Sequence, residues 1–204
     1  MYLNEDELDA LAEVINIGSG RAASSLSEIT GSRIMLTIPQ IQVCDSLNFR
    51  DLANSLDLEF GTTVQQGFSG KVSGRALLAF PKDNAVDLAR LVGEIETSTT
   101  EMDEELCGVL EEIGNIVLNS ILGTIANMID CGLSYTLPQL CTKNSFTKLV
   151  LENRDHIINS DSVILVADTS ITVADRDISG SLLLLFETGD IKTLLSSLIN
   201  APIV

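Results

Sequence analysis

The chain contains no tryptophan, two tyrosines and six phenylalanines in 204 residues. Hydrophobic residues still make up 45% of it, so Leu, Ile, Val and Ala must fill the core. Such a core favours helices packed on a sheet over an aromatic-rich β-barrel. Basic residues are also scarce: 12 Lys and Arg stand against 29 Asp and Glu, a formal charge of −17. Phosphate backbones are gripped by clustered Lys and Arg, so the composition argues against nucleic acid as a partner. The same deficit argues against anionic membranes. Excess negative charge serves solubility, and it also favours a partner with basic groups around its docking site.

Histidine occurs once, as His156, and the four cysteines (Cys44, Cys107, Cys131 and Cys141) form no Cys-x-x-Cys pair. A zinc site is therefore not expected. The cysteines read as buried free thiols of a reducing compartment. The longest unbroken apolar runs are a few residues, as in Leu182 to Phe186, so no transmembrane helix is expected. The N-terminus opens on acidic residues with no signal-peptide pattern. The expected location is the cytoplasm.

The chain does contain an internal echo. Shifted by 99 positions, Glu13, Asn16 and Ile17 fall on Glu112, Asn115 and Ile116. Thr37, Pro39 and Gln40 fall on Thr136, Pro138 and Gln139. Later the offset becomes 106, where Ser73-Gly74 matches Ser179-Gly180 and Phe80 matches Phe186. A seven-residue insertion in a loop of the second half would account for the change. We read one domain over residues 1–204 built from two diverged repeats, about 1–96 and 100–204, closing around a pseudo-twofold axis. The polar stretch Thr97–Thr100 follows Gly93, which serves as a helix stop.

Each repeat reads as a long helix, several strands and a shorter helix. Asn4 caps the first helix, Glu7 completes a capping box, and Leu3 and Leu8 have staple spacing. Leu8, Leu11, Ala12, Ile15, Ala22 and Leu26 form its apolar stripe. Leu106, Val109, Leu110, Ile113, Val117, Ile121 and Met128 do the same in the second long helix. Strands are expected at Arg33–Ile38, Leu58–Phe68, Lys71–Phe80, Phe146–Leu151, Ser162–Val173 and Ile178–Phe186. Short helices are expected near Asn84–Val92 and Ile191–Ile199. The order gives an α+β (α/β) fold, an antiparallel sheet packed with helices. Gly18-x-Gly20-x-x-Ala23 mimics a dinucleotide fingerprint, but it lies inside a helix with no strand before it. Its glycines read as sites of close packing or close approach of a partner.

Opposite the apolar stripe, Asp9, Glu13, Asn16 and Gly20 are spaced by four, three and four, which aligns them on one face. Gly108, Glu112, Asn115 and Asn119 take the matching positions. One surface Glu-x-x-Asn means little, and shared ancestry alone can preserve a second copy. Even so, Asn is a mediocre helix former, and its recurrence at one register with Glu calls for a reason. A carboxamide both donates and accepts hydrogen bonds, so it can orient a water molecule. That suits phosphoryl hydrolysis, where positioning carries much of the catalysis. The neighbouring Glu would grip a cation on the partner. Each face is then half an active site, completed by a phosphorylated partner that brings its own metal.

At these residues the chain resembles the chemotaxis phosphatase family of CheC, CheX and FliY. The family pattern is Asp or Ser, three residues, Glu, two residues, Asn, twenty-two residues, Pro. Asp9, Glu13, Asn16 and Pro39 follow it completely. Glu112, Asn115 and Pro138 follow it with Gly108 in the first place. Two sites in a chain of this length look most like the CheC branch, since CheX-like proteins typically carry one site and FliY-like proteins an additional domain. The resemblance implies hydrolysis of the aspartyl phosphate of a CheY-like response regulator. It implies that Asn16 and Asn115 orient water while Glu13 and Glu112 contact a lysine of the regulator, with Asp9, Pro39 and Pro138 in support. It implies no cofactor of its own, Mg2+ supplied by the regulator, and binding to the CheD deamidase. The alternative is a non-catalytic adaptor for CheD or the regulator.

Overall fold

The computed structural model describes residues 3–38, 40–44, 61–96, 99–142 and 162–199. The expected strand at Phe146–Leu151, Pro39, His156 and Pro202 lie outside the described residues. Four helices are described: α1 (Glu5–Thr30), α2 (Lys82–Gly93), α3 (Glu104–Met128) and α4 (Thr188–Ile199). Eight strands accompany them: β1 (Ile34–Thr37), β2 (Ile41–Cys44), β3 (Thr62–Gly70), β4 (Gly74–Phe80), β5 (Leu133–Tyr135), β6 (Gln139–Thr142), β7 (Ser162–Val173) and β8 (Arg176–Glu187).

The long helices start where capping chemistry permits. Asn4 Oδ1 accepts from the Glu7 amide at 2.9 Å while Glu7 Oε2 accepts from the Asn4 amide at 2.8 Å. Two otherwise orphaned donors are thereby satisfied. Gly31, with φ of 67°, ends α1 in the left-handed conformation. Asp103 caps α3 by accepting from the Leu106 amide at 2.9 Å. At the end of α2, Glu94 rather than Gly93 takes the left-handed position, with φ of 51°. Gly93 has a different job: a Cβ there would lie 3.0 Å from side-chain carbons of both Ile95 and Val109.

The strands form one antiparallel sheet in the order β1-β7-β8-β4-β3-β5, with β2 also on β7 and β6 also on β3. The central pair is β4 and β8, where Leu77 faces Leu183. Outward from this pair the connectivity crosses between halves: β1 and β2 pair with β7, while β5 and β6 pair with β3. All four helices pack on one face of the sheet, over Ala76, Leu78, Phe80, Leu182, Leu184 and Phe186. Leu77, Ala79, Leu183 and Leu185 point to the other face and are buried as well. Burial on both faces explains why β8 reads as an unbroken apolar run instead of an alternating one.

Several boundaries differ from expectation. β4 begins at Gly74 because Lys71–Ser73 form the turn after Gly70. The short β2, β5 and β6 were not expected; at three or four residues each, they carry too little periodicity to stand out. The extra residues of the second half are not confined to a loop. β7 and β8 run 12 residues each against nine and seven for β3 and β4. Ala174 and Asp175, at φ of 48° and 64°, make the tight two-residue turn of that longer hairpin. Met128 of the expected apolar stripe is exposed. α3 is also long and apolar enough, by length and composition, to cross a membrane, a property that counting unbroken apolar runs misses. In the fold its apolar residues, Leu110, Val117 and Ile121 among them, are core. None of the four cysteines is in a disulfide, and all are half-buried rather than buried.

Candidate functional site

α1 and α3 cross in direct backbone contact. A Cβ on Gly18 would lie 2.7 Å from the Cα of Ile121, so only glycine lets the two helices approach this closely. One turn on, Arg21 Nη1 donates to Thr124 Oγ1 at 3.2 Å across the crossing. On α3, Gly114 is fitted against Val64 of β3, whose side chain a Cβ would meet at 2.5 Å. The helices that carry the candidate side chains are thus fixed to each other and, through α3, to the sheet.

Asp9, Glu13 and Asn16 stand exposed on α1, and Gly20 continues the same row, with nothing within 4 Å of where its Cβ would be. On α3, Gly108, Glu112 and Asn119 are exposed and Asn115 is half-buried. The two faces are not identical. Asn119 Nδ2 donates to Asn115 Oδ1 at 2.6 Å, whereas the corresponding place on α1 is Gly20. Asp9 has no counterpart either, because Gly108 stands there. The i,i+4 relation of Asn115 and Asn119 was visible in the spacing; the hydrogen bond was not.

Two concave surfaces adjoin these residues. A groove of about 330 Å³ lies beside Glu112, with Ile29, Val92, Val109 and Ile116 in its walls and Glu94 as a second carboxylate. Ile29 is 68% exposed. A more open, polar groove of about 490 Å³ runs between the helices past Arg21, Ser24, Asn119 and Asn127. Among the described residues, no group of three or more His, Cys, Asp or Glu side chains is arranged to hold a metal ion.

Pro138 lies elsewhere, in a bulge of the outermost strands. Between Tyr135, opposite Phe68, and Gln139, opposite Gln65, the chain spends three residues against two of β3. The same count holds between Thr37, opposite Ser170, and Ile41, opposite Ala167. The Thr136–Gln139 string is therefore a β-bulge. A bulge leaves its extra residue outside the ladder, a place where a residue without an N–H costs nothing. Thr136 anchors this bulge: its amide donates to the Gly67 carbonyl at 3.0 Å, and its Oγ1 accepts from the Gly67 amide at 2.9 Å. Gln66 Nε2 donates to the Thr136 carbonyl at 3.0 Å. The buried Gln66 Oε1, on the strand opposite the bulge, and the buried Thr169 Oγ1 have no hydrogen-bond partner among the described residues. The resemblance gave Pro138 a supporting role, but the bulge itself depends on the register of a distant strand.

Family models match two stretches of the chain. The model described as chemotaxis phosphatase CheX matches residues 62–159, and that of the CheC-like family matches residues 7–42. The chain is 23% identical over 172 residues to the CheY-P phosphatase CheC of Bacillus subtilis (strain 168), covering 83% of this chain and 81% of that protein. It is 22% identical over 201 residues to the flagellar motor switch phosphatase FliY of the same organism, covering 98% of this chain but 51% of that longer protein. The crystal structure of Thermotoga maritima FliY superposes with a TM-score of 0.78 at 19% identity, over 98% of both chains. Motif, fold and relatives agree: the chain belongs to the CheC/CheX/FliY family.

Proposed function

We propose that this protein dephosphorylates a CheY-like response regulator of a chemotaxis system in the cytoplasm, using two sites. The observation that carries the reading is the recurrence, on two crossed helices, of a Glu and an Asn one turn apart on the face turned away from the core. Asn16 and Asn115 each bring a neutral amide that orients water for in-line attack on an aspartyl phosphate. A carboxylate there would repel the phosphoryl group. Glu13 and Glu112 hold a lysine of the regulator, which fixes the phosphoryl group against the amide. Mg2+ comes with the regulator. Asp9 and Pro39 support the first site, and the bulge at Pro138 supports the backbone at the sheet edge beside β3. The named activities of the CheC and FliY relatives point the same way.

The test is the decay of a phosphorylated regulator with and without this protein, using N16A/N115A as control. Accelerated decay that the double variant abolishes, with binding retained, is the expected result. Acceleration that survives the double variant would sink the assignment of the amides. Exposed Leu137, at 85%, and the apolar groove beside Glu112 favour a second reading, an adaptor for the regulator or for CheD. Binding without acceleration, with CheD absent and then present, is the outcome that selects it.

A further inference from the structure

The two Glu-x-x-Asn faces share a sequence pattern but differ in how the amide is held. Asn115 Oδ1 accepts a 2.6 Å hydrogen bond from Asn119 Nδ2, one helical turn on. A carboxamide can turn over about its last torsion and exchange its oxygen and nitrogen. With Asn119 donating, as here, the bond holds the Asn115 side chain with its oxygen toward Asn119. It uses one lone pair of Oδ1 and leaves Asn115 with its second lone pair and both N–H groups for water. On α1 the equivalent position is Gly20, which has no side chain, and Asn16 makes no side-chain hydrogen bond to any described residue.

We infer that Asn119 is a positioning residue for the second site, holding the Asn115 amide in the orientation that receives water, and that the first site lacks this device. The inference rests on the functional reading above, because it concerns the efficiency of those amides. It also divides the labour between the sites. The first keeps Asp9 one turn before its Glu and has no amide clamp. The second has Gly108 in place of that Asp and a clamped amide. Asn119 is exposed and lines the polar groove between the helices, so replacing it removes a hydrogen bond without opening the core.

The experiment reads each site in isolation. With site one silenced by N16A, N119A should lower kcat for regulator dephosphorylation roughly two- to tenfold, the factor for one lost hydrogen bond. KM should not change, because Asn119 makes no part of the grip on the partner. N119L, of similar size without a donor, should behave like N119A, and N119Q should restore part of the rate. With site two silenced by N115A, G20N should raise kcat at the first site, where nothing lies within 4 Å to obstruct the new side chain. The Asn115 side-chain amide resonances should shift in N119A, a readout independent of turnover. An unchanged kcat in both N119A and N119L, with the native protein active, would overturn the inference alone. A native protein that gives no acceleration would instead overturn the functional reading. The amide resonances would still decide the contact: no shift in N119A overturns it, and a shift sustains it.

Discussion

Replacing Gly18 by alanine tests whether the α1–α3 crossing is as tight as it looks. The new Cβ would lie 2.7 Å from Ile121 Cα and 3.2 Å from both Ile121 Cγ1 and the Ser120 carbonyl oxygen. Carbon atoms in good contact sit about 3.5–4.0 Å apart, so the helices must separate by roughly 1 Å, and the nearest atom is backbone that cannot swing aside. Overpacking of this kind costs about 1–3 kcal/mol. Alanine regains about 1 kcal/mol over glycine through helix propensity, so the net effect of Gly18→Ala alone is small or destabilising. Gly20→Ala provides the reference, because it is in the same helix and meets nothing within 4 Å. It should collect the propensity gain without the collision. The difference between the two variants isolates the collision at about 1–3 kcal/mol, or several degrees in Tm for a domain of this size, at roughly 2–4 °C per kcal/mol. Thermal and urea unfolding of both variants measure it. Equal stabilisation by the two alanines would refute the reasoning, for it would mean that the helices are free to part at no cost.

Two further outcomes follow from strand pairing and thiol environment. Fragments 1–96 and 100–204 should each be largely unfolded alone and regain structure when mixed, because β1 and β2 find their partner in β7, and β5 and β6 find theirs in β3; circular dichroism of each fragment and of the mixture checks this, and a fragment folded by itself would count against it. Cys141 is pushed above the ordinary thiol range by burial, with the Gln65 amide and the Arg75 cation acting in the opposite direction. Cys107 is raised by burial first and then by Asp103 and Glu111. A raised value means less thiolate at a given pH, so alkylation of both should lag behind a free cysteine near pH 8 and catch up as pH rises. Site-resolved mass spectrometry gives the rates, and modification as fast as the free amino acid would contradict the assignment.

The long helices were legible because their signals are local. Asn4 and Glu7 are three residues apart, and the hydrogen bonds between them are those the spacing calls for. The exposure of Glu13, Asn16 and Glu112 follows from their place opposite an apolar stripe, which tertiary packing had no reason to reverse. The close approach at Gly18 fits the expected use of glycine inside that helix, and the short helix does end at Gly93, although the left-handed residue is Glu94 and Gly93 also packs against Val109. Glu94 takes the left-handed turn, and the chain beyond it packs back on the core through Ile95.

The sheet was harder to read, for a physical reason. Period-two alternation identifies a strand but not its partner, and the pairing of β1 with β7 joins residues more than a hundred positions apart. Thr-x-Pro-Gln was plain as a repeated string, yet a bulge is defined by two strands counted against each other. Only the register of Gln65 and Phe68 shows that Thr136–Pro138 carries one residue too many. The same logic limits what the two copies of Glu-x-x-Asn convey. Their repetition fixes the residue types and the face, but Asn119 beside Asn115 and Gly20 beyond Asn16 make the amides unequal. The two helices present one pattern, and the residue one turn further along, Gly20 on one and Asn119 on the other, decides whether the amide has a neighbouring side chain to hold it.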